Sequence, residues 1–247
     1  LDGNAGAVMT IRKFNNISQT GAGTPVNTGS VAPSLGRHFR KLRKAEKAKA
    51  ALQRQPRGRM DPFTRDQLLL IRAALKAKGH TRDLALLNLG VDSMLRGGDL
   101  LALRVRDVVD AQGEFRASLV LRQEKTSRPV QINLTPKTHE ALAALILGED
   151  KRPDDFLFTA TGCPHGPRLS TAMLRLLVKS WARLCHADPV RYSNHSLRRT
   201  KAAILYAETR DVESIRVLLG HTSLSQTIAY LGVTEADAGA IARNFDV

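Results

Sequence analysis

Between residues 115 and 134 the apolar residues of the chain change their rhythm. Phe115, Ala117, Leu119 and Leu121 alternate with other residues, and after a polar run Val130, Ile132 and Leu134 alternate again. A period of two puts every second side chain on the same face of an extended strand, so this stretch predicts a β-hairpin with Lys125 near its turn. On either side the period is helical. Leu68, Ile71 and Leu75 follow a capping residue, Thr64, and Leu84, Leu87 and Val91 follow Thr81 in the same way. Helical patterns continue over 136–148, 170–185, 195–207, 211–219, 224–231 and 234–243. One hairpin among so many helices predicts a mainly α fold with a small antiparallel β-sheet.

The division of the chain follows from where these periods begin. Residues 1–35 are rich in Gly, Asn, Thr and Ser and sustain no period, which predicts a flexible N-terminal segment. Residues 36–60 are strongly basic helix formers until Pro56 and Gly58 interrupt them. This segment is either a solvated helix or linker, or an arm that lays Arg40, Lys41, Arg43 and Lys44 along DNA phosphates. A compact domain is expected over 61–247. Its tail starts at about 234 and places Ala238, Ile241 and Phe245 on one helical face. The chain opens on Leu1, and whether that is a native start is open from sequence alone.

With 247 residues, 43% of them hydrophobic, the chain can bury a full core. Its net charge of +15 favours a polyanionic partner, with double-stranded DNA ahead of an anionic membrane. No apolar run is long enough to span a bilayer and no signal-peptide order opens the chain, so a cytoplasmic, nucleoid-associated protein is expected. Cys163 and Cys185 form no disulfide framework in a chain of this size, which fits a reducing compartment. A metal site drawn from Cys163, His165, Cys185 and His186 lacks the usual zinc spacings, and no metal or other cofactor is expected.

Three segments carry polar or cationic residues among core-forming ones. In LRGGDLLAL, Arg96 precedes Gly97 and Gly98, which predicts a helix break there or a close backbone approach. In HSLRRT, His195 and Arg198 are three apart and share a helical face, so two donors can converge on one anion, while Leu197 turns to the core. In LLGHTSLSQTIAY, Gly220 suits a left-handed helix end, His221 lies in the turn, and Ser223 caps a helix that ends with Tyr230. Tyr230 closes a polar segment in a chain with only 4% aromatic residues, where a packing tyrosine would have apolar company.

In order, these residues read as Arg in R-x-x-[DE]-L, a hairpin Lys, H-x-L-R, L-G-H, and a Tyr nine residues after that His. The series resembles the signature of the tyrosine recombinase (phage integrase) family over about residues 61–233, and is most similar to short integrases with little beyond the catalytic domain. The resemblance implies that the domain over 61–247 breaks and rejoins DNA for integration, excision, inversion or resolution of mobile DNA. Tyr230 would form a 3′-phosphotyrosyl link, which conserves the bond energy without ATP. Arg96 and Arg198 would clamp the transition state with planar forks, and His195 would orient groups or accept a proton. Lys125 would protonate the departing 5′ oxygen, and His221 would donate to a nonbridging oxygen. Asp99 would hold an arginine or histidine from behind, the plainer alternative being an exposed helix acid. The resemblance also implies a homo-tetramer on paired sites, with the tail docking on a neighbouring protomer.

Three features depart from the family pattern. Most members carry a separate helical core-binding domain before the catalytic one, whereas here only the basic first 60 residues are available. Asp99 replaces the commoner Glu, and Arg199, a further DNA-binding candidate, stands where many relatives have a second His. Two alternatives are a type IB topoisomerase-like relaxing enzyme and a catalytically silent DNA-binding regulator with the same fold.

Overall fold

The computed structural model describes residues 59–125 and 127–233, which lie in the compact unit that runs from Pro56 onward. The basic segment's Arg40, Lys41, Arg43 and Lys44, and the tail from 234, lie outside the described residues. Helices α1 (Arg65–Ala77), α2 (Thr81–Ser93), α3 (Gly97–Ala102) and α4 (Val105–Val108) come first. Strands β1 (Ser118–Arg122) and β2 (Pro129–Asn133) follow, then α5 (Pro136–Gly148) and α6 (Thr171–Leu184). A 3₁₀ turn at Pro189–Arg191 leads to α7 (Asn194–Thr209), α8 (Val212–Leu219) and α9 (Leu224–Leu231). The fold is mainly α with one small antiparallel sheet, as the periods predict. None of the described helices is long and apolar enough to cross a membrane.

Local chemistry accounts for the element ends. Thr64 and Gln67 form a reciprocal capping box at 3.2 and 2.9 Å, and the apolar triad Leu68, Ile71 and Leu75 is buried along α1. Thr81, expected as a cap, is instead the first helical residue of α2. The N-cap is His80, which makes no side-chain capping bond, and Thr81 turns its hydroxyl back to the Gly79 carbonyl at 3.4 Å. Helix α2 is buried on most sides, Ala85, Leu86, Leu87 and Leu89 all having no exposed area, because α5 and α7 pack on it. Trp181 of α6 closes this core and donates its indole N–H to buried Asp83 at 3.3 Å.

Two features of this frame place the site. The hairpin pairs Leu119 with Ile132 and Leu121 with Val130, which turns Leu119, Val130 and Ile132 inward and leaves Val120 exposed. Strand β2 also packs against α8, so the sheet edge meets the segment that leads to Tyr230. The break expected at Gly97 and Gly98 falls just before them. Met94 takes a left-handed conformation (φ 50°) and Arg96 is the N-cap of α3, while Gly97 is its first helical residue. A Cβ on Gly97 would lie 3.2 Å from Asn194 Nδ2 and 3.3 Å from a Leu174 methyl, so that glycine serves the close approach of α3 to α7 and α6.

Candidate active site

Helix α7 begins in a capping arrangement in which the Ser193 hydroxyl accepts the His195 N–H at 3.3 Å and Ser193 N–H donates to Ser196 Oγ at 3.0 Å. That start drives the first two turns into the core. Leu197 is 1% exposed and Arg198 3%, while His195, one turn earlier than Arg198, stays at the surface. The Arg198 guanidinium donates to the carbonyls of Met94 at 2.6 Å and Leu219 at 2.7 Å. It thereby ties the break before α3 to the end of α8, two places where carbonyls lack helical partners.

Gln123, which sequence reasoning missed, joins the rest of the site to this point. It is 1% exposed, donates to the same Leu219 carbonyl at 3.3 Å, and accepts a hydrogen bond from Arg96 through its side-chain oxygen. Arg96 and Arg198 therefore converge through Gln123 and Leu219. The available signal was register: Leu119 and Leu121 face inward, so position 123 continues the inward row, and a polar residue there needs a buried partner.

Gly220 turns the chain from α8 into the segment that carries Tyr230. Its φ is +65°, and a Cβ there would lie 2.7 Å from a Val130 methyl. Ser223 caps α9, accepting the Gln226 N–H at 3.3 Å. His221 Nδ1 shares a hydrogen bond with buried Thr227 Oγ1 at 3.1 Å, and its ring stands edge-on to Tyr230 with centroids 5.2 Å apart. Desolvation, followed by the fields of Arg198 and Arg96, pushes the His221 pKa down to about 4. His221 is neutral at pH 7 and can donate one N–H without adding charge. His195 is also held below its ordinary range, by desolvation and then by Arg198, Arg96, Arg175 and Arg199.

The Tyr230 hydroxyl is inaccessible and has no aligned hydrogen-bond partner among the described residues, although Arg198 lies near enough to act on it. Burial pushes its pKa up to about 12 against the opposing pull of Arg198, Arg199 and Arg59. In this arrangement the phenol is protonated and withdrawn. Its ring packs on the small apolar cluster of Met94, Ala202, Ile215 and Leu219.

Arg96, Arg198, His221 and Tyr230 form one group, and His195 stands at its edge within reach of the arginines' field. Lys125 does not join them. It lies in the exposed hairpin turn and makes no hydrogen bond or ion pair with the described residues. Asp99 is 5% exposed, which excludes the exposed helix acid. Its Oδ1 accepts the Glu124 N–H at 2.9 Å, so it holds the root of the hairpin turn, and its charge also acts on Arg198. Arg199 is buried, with its guanidinium carbon 5.2 Å from the centroid of the Tyr230 ring. Among the described residues no three His, Cys, Asp or Glu side chains are grouped to hold a metal ion. Of the residues drawn together as a metal alternative, Cys185 is buried and His165 pairs with Asp155 at 2.7 Å.

Known proteins resemble this chain in sequence and in fold. The chain is 32% identical over 166 residues to the tyrosine recombinase XerC of Neisseria gonorrhoeae, covering 67% of this chain and 50% of that protein. It is 29% identical over 212 residues to XerC of Brucella melitensis, covering 81% and 64%. The chain spans about half the length of the first curated relatives it matches. Its fold matches XerH site-specific recombinase bound to difH substrate with a TM-score of 0.59 at 17% identity, over 87% of this chain and 67% of that one. It matches XerA recombinase with a TM-score of 0.60 at 19% identity, over 78% and 66%. Residues 62–237 match the profile of the phage integrase family, the tyrosine recombinases, and the chain belongs to that family.

Proposed function

We propose that the chain is a site-specific recombinase that cleaves and rejoins double-stranded DNA through Tyr230. The observation that carries this reading is the meeting of Arg198, His221 and Tyr230, with Arg96 tied to the same carbonyl through Gln123. Two guanidinium forks and a neutral imidazole N–H suit a pentacovalent phosphate, whose extra charge needs fixed donors. The Tyr230 oxygen attacks the scissile phosphorus, its proton leaves toward His195 or water, and the P–O5′ bond breaks. The leaving 5′ oxygen takes a proton from Lys125, which the hairpin turn brings in when DNA is bound. A free 5′-hydroxyl then attacks the 3′-phosphotyrosyl link and reverses the balance, so no external energy enters.

The withdrawn Tyr230 hydroxyl gives the first step a requirement. Helix α9 must shift to expose the phenol, and a phosphate held between Arg96 and Arg198 supplies the reason, since it draws both cations toward the strand. In the same reading the basic segment over 36–60 lies along the DNA backbone, and protomers assemble as a tetramer on paired sites. The resemblance to XerH, whose structure is bound to its difH substrate, supports DNA as the partner.

The test uses nicked duplexes carrying inverted repeats from the DNA that flanks the gene. Loss of the short 3′ fragment after cleavage traps the protein on the strand. A denaturation-resistant adduct that disappears in Tyr230→Phe supports the recombinase. Specific binding with no adduct supports the silent regulator, and relaxation of supercoiled DNA without a paired site supports the topoisomerase-like alternative.

A further inference from the structure

Arg199 is 9% exposed, its Nε is inaccessible, and its guanidinium makes no hydrogen bond to any described residue. A guanidinium has five N–H donors, and leaving even one of them buried without an acceptor is costly, while the terminal nitrogens of Arg199 remain open to a ligand. Its neighbours do not explain it. The Tyr230 ring lies on one side, with its centroid 5.2 Å from the guanidinium carbon, and stacking of that kind offsets only part of the desolvation. The other neighbour is a second cation, Arg59, whose guanidinium fills the space that a Cβ on Gly232 would take.

Arg59 is delivered there by a pinned segment. Asp61 N–H donates to the Arg191 carbonyl at 2.9 Å, Phe63 N–H donates to Thr200 Oγ1 at 3.0 Å, and the Phe63 ring stacks on Tyr192 at 4.5 Å. Asp61, whose carboxylate acts on Arg199, is itself engaged by Arg191 at 2.6 and 3.1 Å. Among the described residues, two arginines thus flank Tyr230 with no anion of their own. Arg199 is held below the ordinary arginine range first by burial and then by Arg59.

We propose that Arg199 and Arg59 form a second phosphate subsite beside Tyr230, which takes a DNA backbone phosphate next to the one Tyr230 attacks. The proposal rests on the recombinase reading for the identity of the phosphate. Guanidinium forks match the two nonbridging oxygens of a phosphodiester, and a strand that presents one phosphate to Arg96 and Arg198 carries its next phosphate past the same helix ends. Gly232 borders the subsite, since the Arg59 guanidinium occupies the space beside its Cα. Occupancy would neutralise the repulsion between the two arginines and draw Arg199 toward the strand, which loosens its hold on the Tyr230 ring and lets the phenol shift, so that Arg199 acts as a positioning residue.

Two measurements test this. In the Arg96→Gln protein, which weakens the first phosphate position, inorganic phosphate should raise the Tm, and the rise should be lost in Arg96→Gln/Arg199→Gln. An equal rise in both proteins overturns the subsite. Without phosphate, Arg199→Gln should leave Tm unchanged or higher, because it removes a buried donor that has no acceptor and the repulsion with Arg59; a marked fall shows a structural arginine and also overturns it. The second measurement is the rate of adduct formation on nicked duplexes carrying one uncharged methylphosphonate at a time. Neutralising one phosphate adjacent to the scissile one should slow the wild type by about tenfold or more, the equivalent of one charge-assisted hydrogen bond. The same substitution should have no further effect in Arg199→Gln. Effects that multiply instead show that Arg199 does not meet that phosphate and overturn the proposal. If no duplex gives an adduct, the recombinase reading falls, while the phosphate titration still decides whether the two arginines bind an anion.

Discussion

Replacing Gly220 with Ala tests the turn that delivers Tyr230, and its size can be worked from two contacts. At φ +65° an L-residue costs about 1–2 kcal/mol relative to Gly. The new Cβ would also meet a Val130 methyl at 2.7 Å and Gln123 Nε2 at 3.3 Å. Neither neighbour is a free-swinging side chain, since Val130 is 3% exposed in β2 and Gln123 is 1% exposed, so overpacking adds about 1–3 kcal/mol. The total is about 3 kcal/mol, or a Tm lowered by about 6–12 °C for a unit of this size. Gly79 supplies the control. It has φ +64° and nothing within 4 Å of its Cβ position, so Gly79→Ala carries the conformational cost of about 1.5 kcal/mol alone and should lower Tm by about 3–6 °C. Thermal unfolding of the two variants followed by circular dichroism reads the difference directly. Equal shifts would refute the tight seat of the turn on β2. Adduct formation by Gly220→Ala should also slow well below its unfolding temperature, whereas Gly79→Ala should react at the parent rate.

Three further outcomes follow from the same structure. His221 is neutral in the fold, with its pKa pushed down to about 4, and it protonates near 6.5 when unfolded, so its contribution is complete above pH 6.5 and is lost as pH falls toward 4. Because the residue is only half-buried, solvent screening reduces the loss to about 1–2 kcal/mol, and denaturant titrations at pH 7.5 and 5 should show a smaller pH dependence in His221→Gln. Asp92 accepts from Thr135 N at 3.1 Å, Thr135 Oγ1 at 2.6 Å and Thr138 Oγ1 at 2.5 Å and faces Lys201, which hold its carboxyl below the ordinary range despite burial. Asp92→Asn should therefore lose about 2–4 kcal/mol at pH 7, and the gap to the parent should close as pH falls below about 3.9 and through the folded-state value. Finally, exposed Cys163 should react with a thiol reagent in the native protein, whereas buried Cys185, its thiol pushed up by burial, should react only after denaturation; equal native rates would contradict the packing of α6.

Elements whose ends are set by local chemistry were legible before any coordinates. Thr64, Ser223 and Gly220 cap or end their helices because a side-chain oxygen or a positive φ is needed within a few residues, and the period of two located the hairpin to within a few positions. Order and spacing likewise picked out Arg96, Arg198, His221 and Tyr230, which the fold brings together. What stayed hidden depends on partners far along the chain. Gln123 reaches Leu219 and Arg96 only once the hairpin lies beside α8 through β2, and Arg198 spends two donors on carbonyls that the helix break and the end of α8 leave free. The left-handed residue at the break is Met94, where the paired glycines drew attention instead, because a chain reversal fixed by tertiary contacts can hold a non-glycine residue there. The burial of Asp99 and of the Tyr230 hydroxyl has the same origin, since Asp99 is covered by the hairpin turn at Glu124 and Tyr230 by the packing of α9 on α7 and α8.

The central claim is that Tyr230 carries the DNA strand. Its most direct measurement is digestion of the trapped protein–DNA adduct to peptides, followed by mass spectrometry of the peptide that retains a nucleotide. The account predicts a single phosphotyrosyl link at Tyr230 to the 3′ end of the cleaved strand, absent from Tyr230→Phe. A link at Tyr192 or Tyr206, an adduct to a 5′ end, or an adduct that persists in Tyr230→Phe would contradict it.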